Sequence, residues 1–240
     1  MNAIEVKNLN KSFKLGKNDE VKVLKNLNFT VKKGSFLSIM GPSGCGKSTL
    51  LYLLGGLDNP TSGVINVNGR DISTLKEKEK AKMKRREVGF VFQFYNLVPN
   101  LTIEDNILLP LLMDGKKIKN YKEDLNNILD LVGLKDKRKM TPRELSGGQQ
   151  QRVAIARALL FKPDIILADE PIGNLDSKTG ESIMELFRDI NKKFGTTIVQ
   201  VTHAESSAYY GDSVLRLLDG EIVSKEDITN IEDPKNRYLL

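Results

Sequence analysis

The glycine-rich segment GPSGCGKS at residues 41–48 constrains the fold of this chain more than any other feature. It fits the phosphate-binding pattern G-x-x-x-x-G-K-[S/T], in which backbone N–H groups surround phosphate oxygens and the lysine reaches the terminal phosphates. Residues 35–40 are strand-like, and a helix is expected from Lys47 to about Leu54, so free N–H groups and a helix dipole would point at an anion. A plain glycine turn would leave the lysine unexplained. The segment therefore predicts a nucleotide-binding α/β protein.

Composition limits the class of protein. Hydrophobic residues make up 40% of the 240 residues and charged residues 28%, which is ordinary for a soluble domain. No apolar run approaches the roughly 18 residues of a membrane-spanning helix, and the first residues alternate like a strand rather than a secretory signal. We therefore expect a folded, cytoplasmic protein that does not cross a membrane alone.

Charge adds little to that expectation. The net charge of +6 suits anionic partners without specifying nucleic acid. A basic run at residues 76–86 holds seven Lys or Arg and two Glu. We interpret it as a solvated helix face, with attraction to anionic lipid headgroups, and then to nucleic acid, as weaker alternatives.

The order of predicted elements indicates an α/β core with parallel strands. Strand-like runs dominate the first hundred residues, a helical pattern extends from residue 102 to about 160, and strands alternating with helices then return. We predict one domain over residues 1–225, with a helical subdomain at about 95–160 inserted in the core, and a polar tail over 226–240. The predicted elements, besides those flanking the loop, are strands at 4–9, 21–31, 64–67, 88–92, 164–168 and 196–201, a helix at 177–194, and a hairpin of 214–218 with 221–223.

Two adjacent carboxylates follow the apolar strand that ends at Ala168. Asp169 and Glu170 would lie at the carboxyl end of a parallel strand, where ligands of open α/β sheets collect. We expect Asp169 to support Mg²⁺ together with the Ser48 hydroxyl, and Glu170 to orient the water that attacks the γ-phosphate. The alternative is that adjacent acids simply end a strand.

Two further polar residues follow predicted strands in the same way. His203, the only histidine, would contact the γ-phosphate or help to hold Glu170 and the water. Gln93 would sense Mg²⁺ or the attacking water. A packed or surface histidine and an ordinary loop glutamine are the alternatives.

A second glycine-rich segment, LSGGQ at residues 145–149, precedes the helical run 150–160. It would form another helix N-terminus suited to phosphate. A serine-capped helix start with flexible glycines is the structural alternative.

Together these residues resemble the nucleotide-binding subunits of the ATP-binding cassette (ABC) family, and the resemblance covers residues 4–223. It rests on residues 41–48 as Walker A, Gln93 as Q-loop, 145–149 as signature, 165–169 as Walker B and Glu170 as catalytic glutamate, with 174–176 as D-loop and His203 as switch histidine. The implied fold is a P-loop NTPase core with a mostly parallel sheet, an antiparallel β subdomain and an α-helical subdomain.

The resemblance also implies how nucleotide is bound. Two cassettes would associate head to tail, each ATP lying between the phosphate loop of one copy and the signature of the other, with Phe13 stacked on adenine. Catalysis would involve Lys47, Gln93, Glu170 and His203, and Mg²⁺ would be held by Ser48, Gln93 and Asp169. The implied ATP-binding positions are Phe13, Gly41, Pro42, Ser43, Gly44, Cys45, Gly46, Lys47, Ser48, Thr49, Ser146, Gly147, Gly148 and Gln149.

Residues 167–177, LADEPIGNLDS, are similar to the subgroup that serves lipoprotein release, macrolide export, peptide-antibiotic resistance and the division-linked complex, with Ile172 where threonine is usual. Residues 93–99 resemble that subgroup's Q-loop, which faces the membrane partner. We thus expect an ATPase that powers a separate transmembrane permease from the cytoplasmic face, without nucleic acid as a partner. A mechanical or regulatory ATPase, a DNA-repair or ribosome-acting cassette and a P-loop kinase are the alternatives.

Overall fold

A computed structural model describes residues 1–16 and 19–228. Its strands are β1 (Asn2–Lys14), β2 (Glu20–Lys32), β3 (Phe36–Met40), β4 (Ser62–Val67), β5 (Arg70–Asp71), β6 (Val88–Val91), β7 (Ile165–Asp169), β8 (Thr197–Thr202), β9 (Ser213–Leu218) and β10 (Glu221–Asp227). Its α-helices are α1 (Lys47–Leu54), α2 (Glu77–Arg86), α3 (Ile103–Met113), α4 (Lys122–Leu131), α5 (Gly147–Leu159), α6 (Ser177–Phe194) and α7 (Glu205–Ala208). Short 3₁₀ turns occupy Ile118–Tyr121, Lys135–Lys137 and Pro142–Glu144.

The core is a six-stranded sheet in the order β10-β9-β3-β8-β7-β6. Neighbouring strands from β9 to β6 are parallel, and only the edge strand β10 is antiparallel. Every residue of β3, β7 and β8 is buried, as expected where helices cover both faces of a parallel sheet. This confirms the predicted α/β class with a mostly parallel sheet. The carboxyl ends of β3, β6, β7 and β8 therefore meet at one edge.

A second, antiparallel sheet has the order β2-β1-β4-β5. Its inward side chains share one hydrophobic cluster with α1 and the neighbouring face of the core sheet. Leu24 on β2 and Leu50 on α1 are both fully buried in that cluster. The antiparallel sheet therefore supports the helix that follows the phosphate loop.

The helical region from residue 102 to 160 is divided into more segments than the sequence pattern suggested. Helices α3, α4 and α5 are separated by turns, and Gly115 and Gly133 adopt φ values of +67° and +68° that end the preceding helical segments. Their apolar faces pack together in a second hydrophobic cluster. By contrast, α6 has the predicted limits, since Asp176 caps its first turn and Gly195, at φ +65°, ends it.

The predicted polar tail begins within a strand, because β10 continues to Asp227. Residues 229–240 lie outside the described residues. None of the helices among the described residues combines the length and the hydrophobicity that a membrane span needs.

The basic run forms α2, but the interpretation of it as a solvated face was partly wrong. Lys80 is buried and donates to Asn59 Oδ1 at 2.7 Å. Arg85 and Arg86 both pair with Asp114 at the end of α3, at 3.1 and 2.5 Å. Three of the seven basic residues therefore join α2 to neighbouring segments.

We expect Asp114→Asn to destabilise the fold by about 1–3 kcal/mol at neutral pH, because the amide has only one acceptor oxygen for the two arginines and carries no charge. The hydrogen bond from Arg86, and then that from Arg85 against an opposing effect of burial, holds the pKa of Asp114 below its usual 3.8. The ionised carboxylate thus favours the folded state above pH 3.8, and this contribution is lost as pH falls through the folded-state pKa.

Urea unfolding across this pH range measures the effect. The difference between the two proteins should shrink below pH 3.8. Asp136→Asn is the charge-matched control, since Asp136 is exposed and has no ion pair in the described part of the chain. Equal stability of Asp114→Asn and Asp136→Asn at neutral pH would contradict the assignment.

Candidate functional site

The phosphate loop connects β3 to α1 and is shaped by its glycines and lysine. Gly46 precedes the helix at φ +100°, and a Cβ there would lie 2.6 Å from Leu24 Cδ2, so both conformation and packing require glycine. Lys47 is buried and its Nζ donates to the carbonyl oxygens of Gly41 at 2.8 Å and Pro42 at 2.9 Å. An ammonium group has three donors, so one is left for an anion over the loop.

Ser48 lies one residue further along α1 and contacts the end of β7. Its Oγ donates to Asp169 Oδ1 at 2.8 Å, and the hydroxyl of Tyr52 donates to Asp169 Oδ2 at 2.7 Å. Asp169 is buried, with 8% of its surface exposed. The carboxylate is therefore held by two neutral hydroxyl groups from successive turns of one helix.

These donors fit the Mg²⁺ that the sequence implies. A hydroxyl and a carboxylate are hard oxygen ligands, and Mg²⁺ is usually bound by one or two protein groups together with phosphates and waters. Ser48 and Asp169 would hold the ion beside the phosphate loop.

Glu170 and His203 form a second polar pair at the same edge of the sheet. Glu170 follows β7 in a left-handed conformation at φ +46°, and its N–H donates to the carbonyl oxygen of Val201 on β8. Its Oε1 lies 3.0 Å from Nδ1 of His203, which follows β8. The histidine side chain is 60% exposed and that of the glutamate 16%. The pair can orient a water molecule and accept its proton.

Gln93 lies beyond the end of β6 but is not hydrogen-bonded to the pair formed by Ser48 and Asp169. Its Nε2 donates to Asn174 Oδ1 at 3.2 Å, and Asn174 Nδ2 donates to the Gln93 carbonyl oxygen at 3.1 Å. The predicted metal ligand is thus engaged with the loop after β7. The predicted contact of Gln93 with Mg²⁺ stays a prediction.

The LSGGQ segment forms the start of α5. Ser146 Oγ accepts from the Gln149 N–H, and Gln149 Oε1 accepts from the Ser146 N–H, which makes a capping box. A Cβ on Gly148 would lie 2.3 Å from Thr179 Cγ2, so α5 approaches α6 closely. No hydrogen bond joins Ser146 or Gln149 to the phosphate loop within the described chain.

Phe13 lies on β1 and is 41% exposed. The Nζ of Lys11 is 4.7 Å from the centre of its ring, and the same Nζ pairs with Asp58 at 2.8 Å. The ring is thus fixed on one strand by a cation and accessible to solvent. Its predicted stacking on adenine remains a prediction.

Two residues at this site were missed by the sequence interpretation. The first is Tyr52, which lies four residues after Ser48, a spacing that puts both on one helix face.

The second is Arg157 on α5, which donates to the carbonyl oxygens of Tyr95 at 2.9 Å and Asn96 at 2.6 Å. Those two residues have left-handed φ values of +63° and +50°, so the arginine holds the loop after Gln93 in an unusual conformation. No motif in the sequence marks that contact.

Comparisons with known proteins agree with this geometry. The ABC transporter family profile matches residues 24–173. The chain is 45% identical over 206 residues to the lipoprotein-releasing system ATP-binding protein LolD of Legionella pneumophila (strain Paris), covering 86% of this chain and 91% of that protein.

Several solved structures are similar to this chain. The first is the dimeric post-hydrolysis state of the ATP-binding cassette MJ0796 of Methanocaldococcus jannaschii bound to ADP and Pi, with a TM-score of 0.86, 42% identity, and coverage of 95% of this chain and 100% of that one. The second is cbiO1 from Clostridium perfringens, part of the ABC transporter complex cbiONQ. It has a TM-score of 0.85, 26% identity, and coverage of 99% of this chain and 91% of that one.

Proposed function

Because this chain belongs to the ABC transporter family as an ATP-hydrolysing subunit, we propose that two copies bind two Mg²⁺·ATP head to tail and power a separate transmembrane permease. The dimeric form of the similar cassette MJ0796, bound to ADP and Pi, supports the association of two copies. Helix α5 begins at Gly147, and the positive dipole end of a helix suits phosphate, which supports a role for the start of α5 as a second phosphate-binding end.

In the proposed reaction, water attacks the γ-phosphorus of ATP, the bond to the β–γ bridging oxygen breaks, and ADP leaves together with inorganic phosphate. Lys47 and the N–H groups of the phosphate loop bind the terminal phosphates and stabilise charge that develops on them. Mg²⁺, when bound near Ser48 and Asp169, would neutralise phosphate charge. Glu170 orients the water and accepts its proton, while His203 holds Glu170.

The pairing of Glu170 with His203 carries this proposal. Both residues lie at the edge of the sheet where β3 leads into the phosphate loop. A carboxylate held by a ring nitrogen at 3.0 Å is fixed in direction, so its second oxygen can accept a hydrogen bond from water. Asp169, one residue earlier, is engaged by two hydroxyl groups and is therefore not free for the same role. Glu170 is therefore the carboxylate available to a water molecule, as general-base catalysis of hydrolysis requires.

We further propose that this subunit lies on the cytoplasmic face of a membrane and that the complex exports or extracts lipoprotein, peptide or drug. The identity of 45% with a lipoprotein-releasing ATP-binding protein supports this class. The alternative is a mechanical or regulatory complex in which ATP hydrolysis moves a membrane partner without transport. In both functions the ATPase subunit contacts nucleotide and its membrane partner rather than cargo. The identity of that partner therefore distinguishes the two functions.

Copurification from native membranes tests this proposal. We expect a transmembrane protein with transport activity to accompany the chain, and phosphate release that needs no acceptor besides water. A partner that moves no substrate would favour the mechanical alternative. Association with ribosomes or DNA, or transfer of phosphate to another acceptor, would contradict the proposal.

A further inference from the structure

Tyr52 contacts the buried carboxylate that would lie beside the metal ion. Its hydroxyl donates to Asp169 Oδ2 at 2.7 Å, whereas Ser48 Oγ donates to Oδ1 at 2.8 Å. Ser48 and Tyr52 are one helical turn apart on α1, so both point to the end of β7. Each carboxylate oxygen thus has its own hydroxyl donor.

The surroundings of Tyr52 restrict its movement. Its ring packs against the first hydrophobic cluster and lies 6.4 Å from the ring of Phe92, the residue before Gln93. These contacts hold the phenol where its O–H donates to Asp169 Oδ2.

The bond from Tyr52 has a different consequence from the bond from Ser48. The Ser48 oxygen would also be a ligand of the ion, so its contact with Asp169 has to adjust when a lone pair turns to the metal. The phenol is bonded to the far oxygen and keeps the carboxylate in place while Ser48 adjusts. Groups that orient a metal ligand in this way commonly affect affinity by about 10- to 100-fold.

We propose that Tyr52 is a positioning residue of the Mg²⁺·ATP site: it fixes Asp169 in the orientation that supports the ion and does not itself contact the nucleotide. This inference rests on the proposed function, since it needs Mg²⁺ at Asp169. It adds a residue outside the motifs that define the site. It also connects the metal side of the site, through Phe92, to the strand end that carries Gln93.

The test is Tyr52→Phe, which keeps the ring and removes only the hydroxyl. We expect the affinity for Mn²⁺ in the presence of ATP, measured by electron paramagnetic resonance, to fall by about 10-fold or more. The Mg²⁺ concentration that half-activates phosphate release should rise by a similar factor. Binding of a fluorescent ATP analogue in EDTA should stay unchanged, because the phosphate loop is intact.

Two further variants separate positioning from general damage. Tyr121→Phe is the matched control, since its ring packs edge-on against Phe161 and its hydroxyl has no hydrogen bond within the described residues. It should leave Mn²⁺ affinity unchanged. Tyr52→Leu removes ring and hydroxyl together and must reproduce the loss of Mn²⁺ affinity, so the result does not depend on one folded variant.

A double substitution asks whether Tyr52 acts through Asp169. In the Asp169→Asn background, adding Tyr52→Phe should change Mn²⁺ affinity by less than about twofold, because contacting residues in one network are not additive. Full additivity, or wild-type Mn²⁺ affinity in Tyr52→Phe and Tyr52→Leu, would overturn the inference. If the unsubstituted protein bound no Mn²⁺ with ATP, the proposed function would fail instead.

Discussion

Glu170→Gln is expected to reduce ATP hydrolysis by about 10²- to 10⁴-fold, the usual contribution of a positioned general base. The amide keeps the size of the side chain and can still hydrogen-bond to His203, which lies 3.0 Å from Oε1. What is lost is the carboxylate that accepts a proton from water. Because the phosphate loop is unchanged, ATP binding should persist, and removal of a negative charge beside the γ-phosphate should favour a stable dimer.

Phosphate release and size-exclusion chromatography with ATP measure the two effects. Glu181→Gln is the matched control, because Glu181 lines the same cavity of about 330 Å³ as Glu170 but is exposed on α6. It removes the same charge without touching the pair with His203. Hydrolysis by Glu170→Gln within about threefold of the Glu181→Gln rate would contradict the role of general base, which is worth at least about 10².

Ser146→Arg is expected to abolish dimer formation and to lower hydrolysis by about 10²-fold or more, the usual effect of losing an anion-stabilising donor. Ser146 is at the start of α5, with its Oγ and N–H in the capping box. In the proposed dimer this end faces the partner's ATP, so a long cationic side chain would occupy the space of the phosphate. Binding of ATP by the isolated copy should be unaffected, because Ser146 does not contact its own phosphate loop.

The substitution also removes a helix cap, worth about 0.5–2 kcal/mol, and this has to be separated from the effect on the dimer. Thr102→Arg provides the comparison, since Thr102 caps α3 by accepting from the Asp105 N–H. It should lower stability by a similar amount and leave ATP-dependent association intact. A Ser146→Arg protein that dimerised and hydrolysed ATP like Thr102→Arg would exclude a shared site.

The sequence predicted the strands and the helix that position the site, because those elements have strong local signals. The runs before Gly41 and Asp169 are buried throughout and apolar except for Ser38, and α6 has a capping aspartate and a terminal glycine. Parallel strands then bring their polar ends together. Local patterns were sufficient here because the chemistry follows the ends of regular elements.

The contacts that the sequence did not predict depend on distant parts of the chain. In the sequence, Tyr52 stands in an apolar stretch of a predicted helix and has no polar partner nearby. In the fold, its hydroxyl lies 2.7 Å from Asp169 Oδ2 at the end of β7. The basic run of α2 gives no sign that Asp114, at the end of another helix, pairs with two of its arginines. The turns within the helical region were also not predicted, since their positions depend on how helices α3, α4 and α5 pack.

Arg157, near the end of α5, connects this helix to the loop after Gln93. Its guanidinium donates to two backbone carbonyl oxygens of that loop. Arg157 lies about 15 Å along the helix from Gly147, at a rise of about 1.5 Å per residue. The phenol of Tyr95 extends back toward that end, where a Cβ on Gly147 would be only 2.8 Å from its oxygen. The loop after Gln93 therefore contacts α5 near both ends of the helix, which fixes the position of the loop relative to the residue that begins the signature helix.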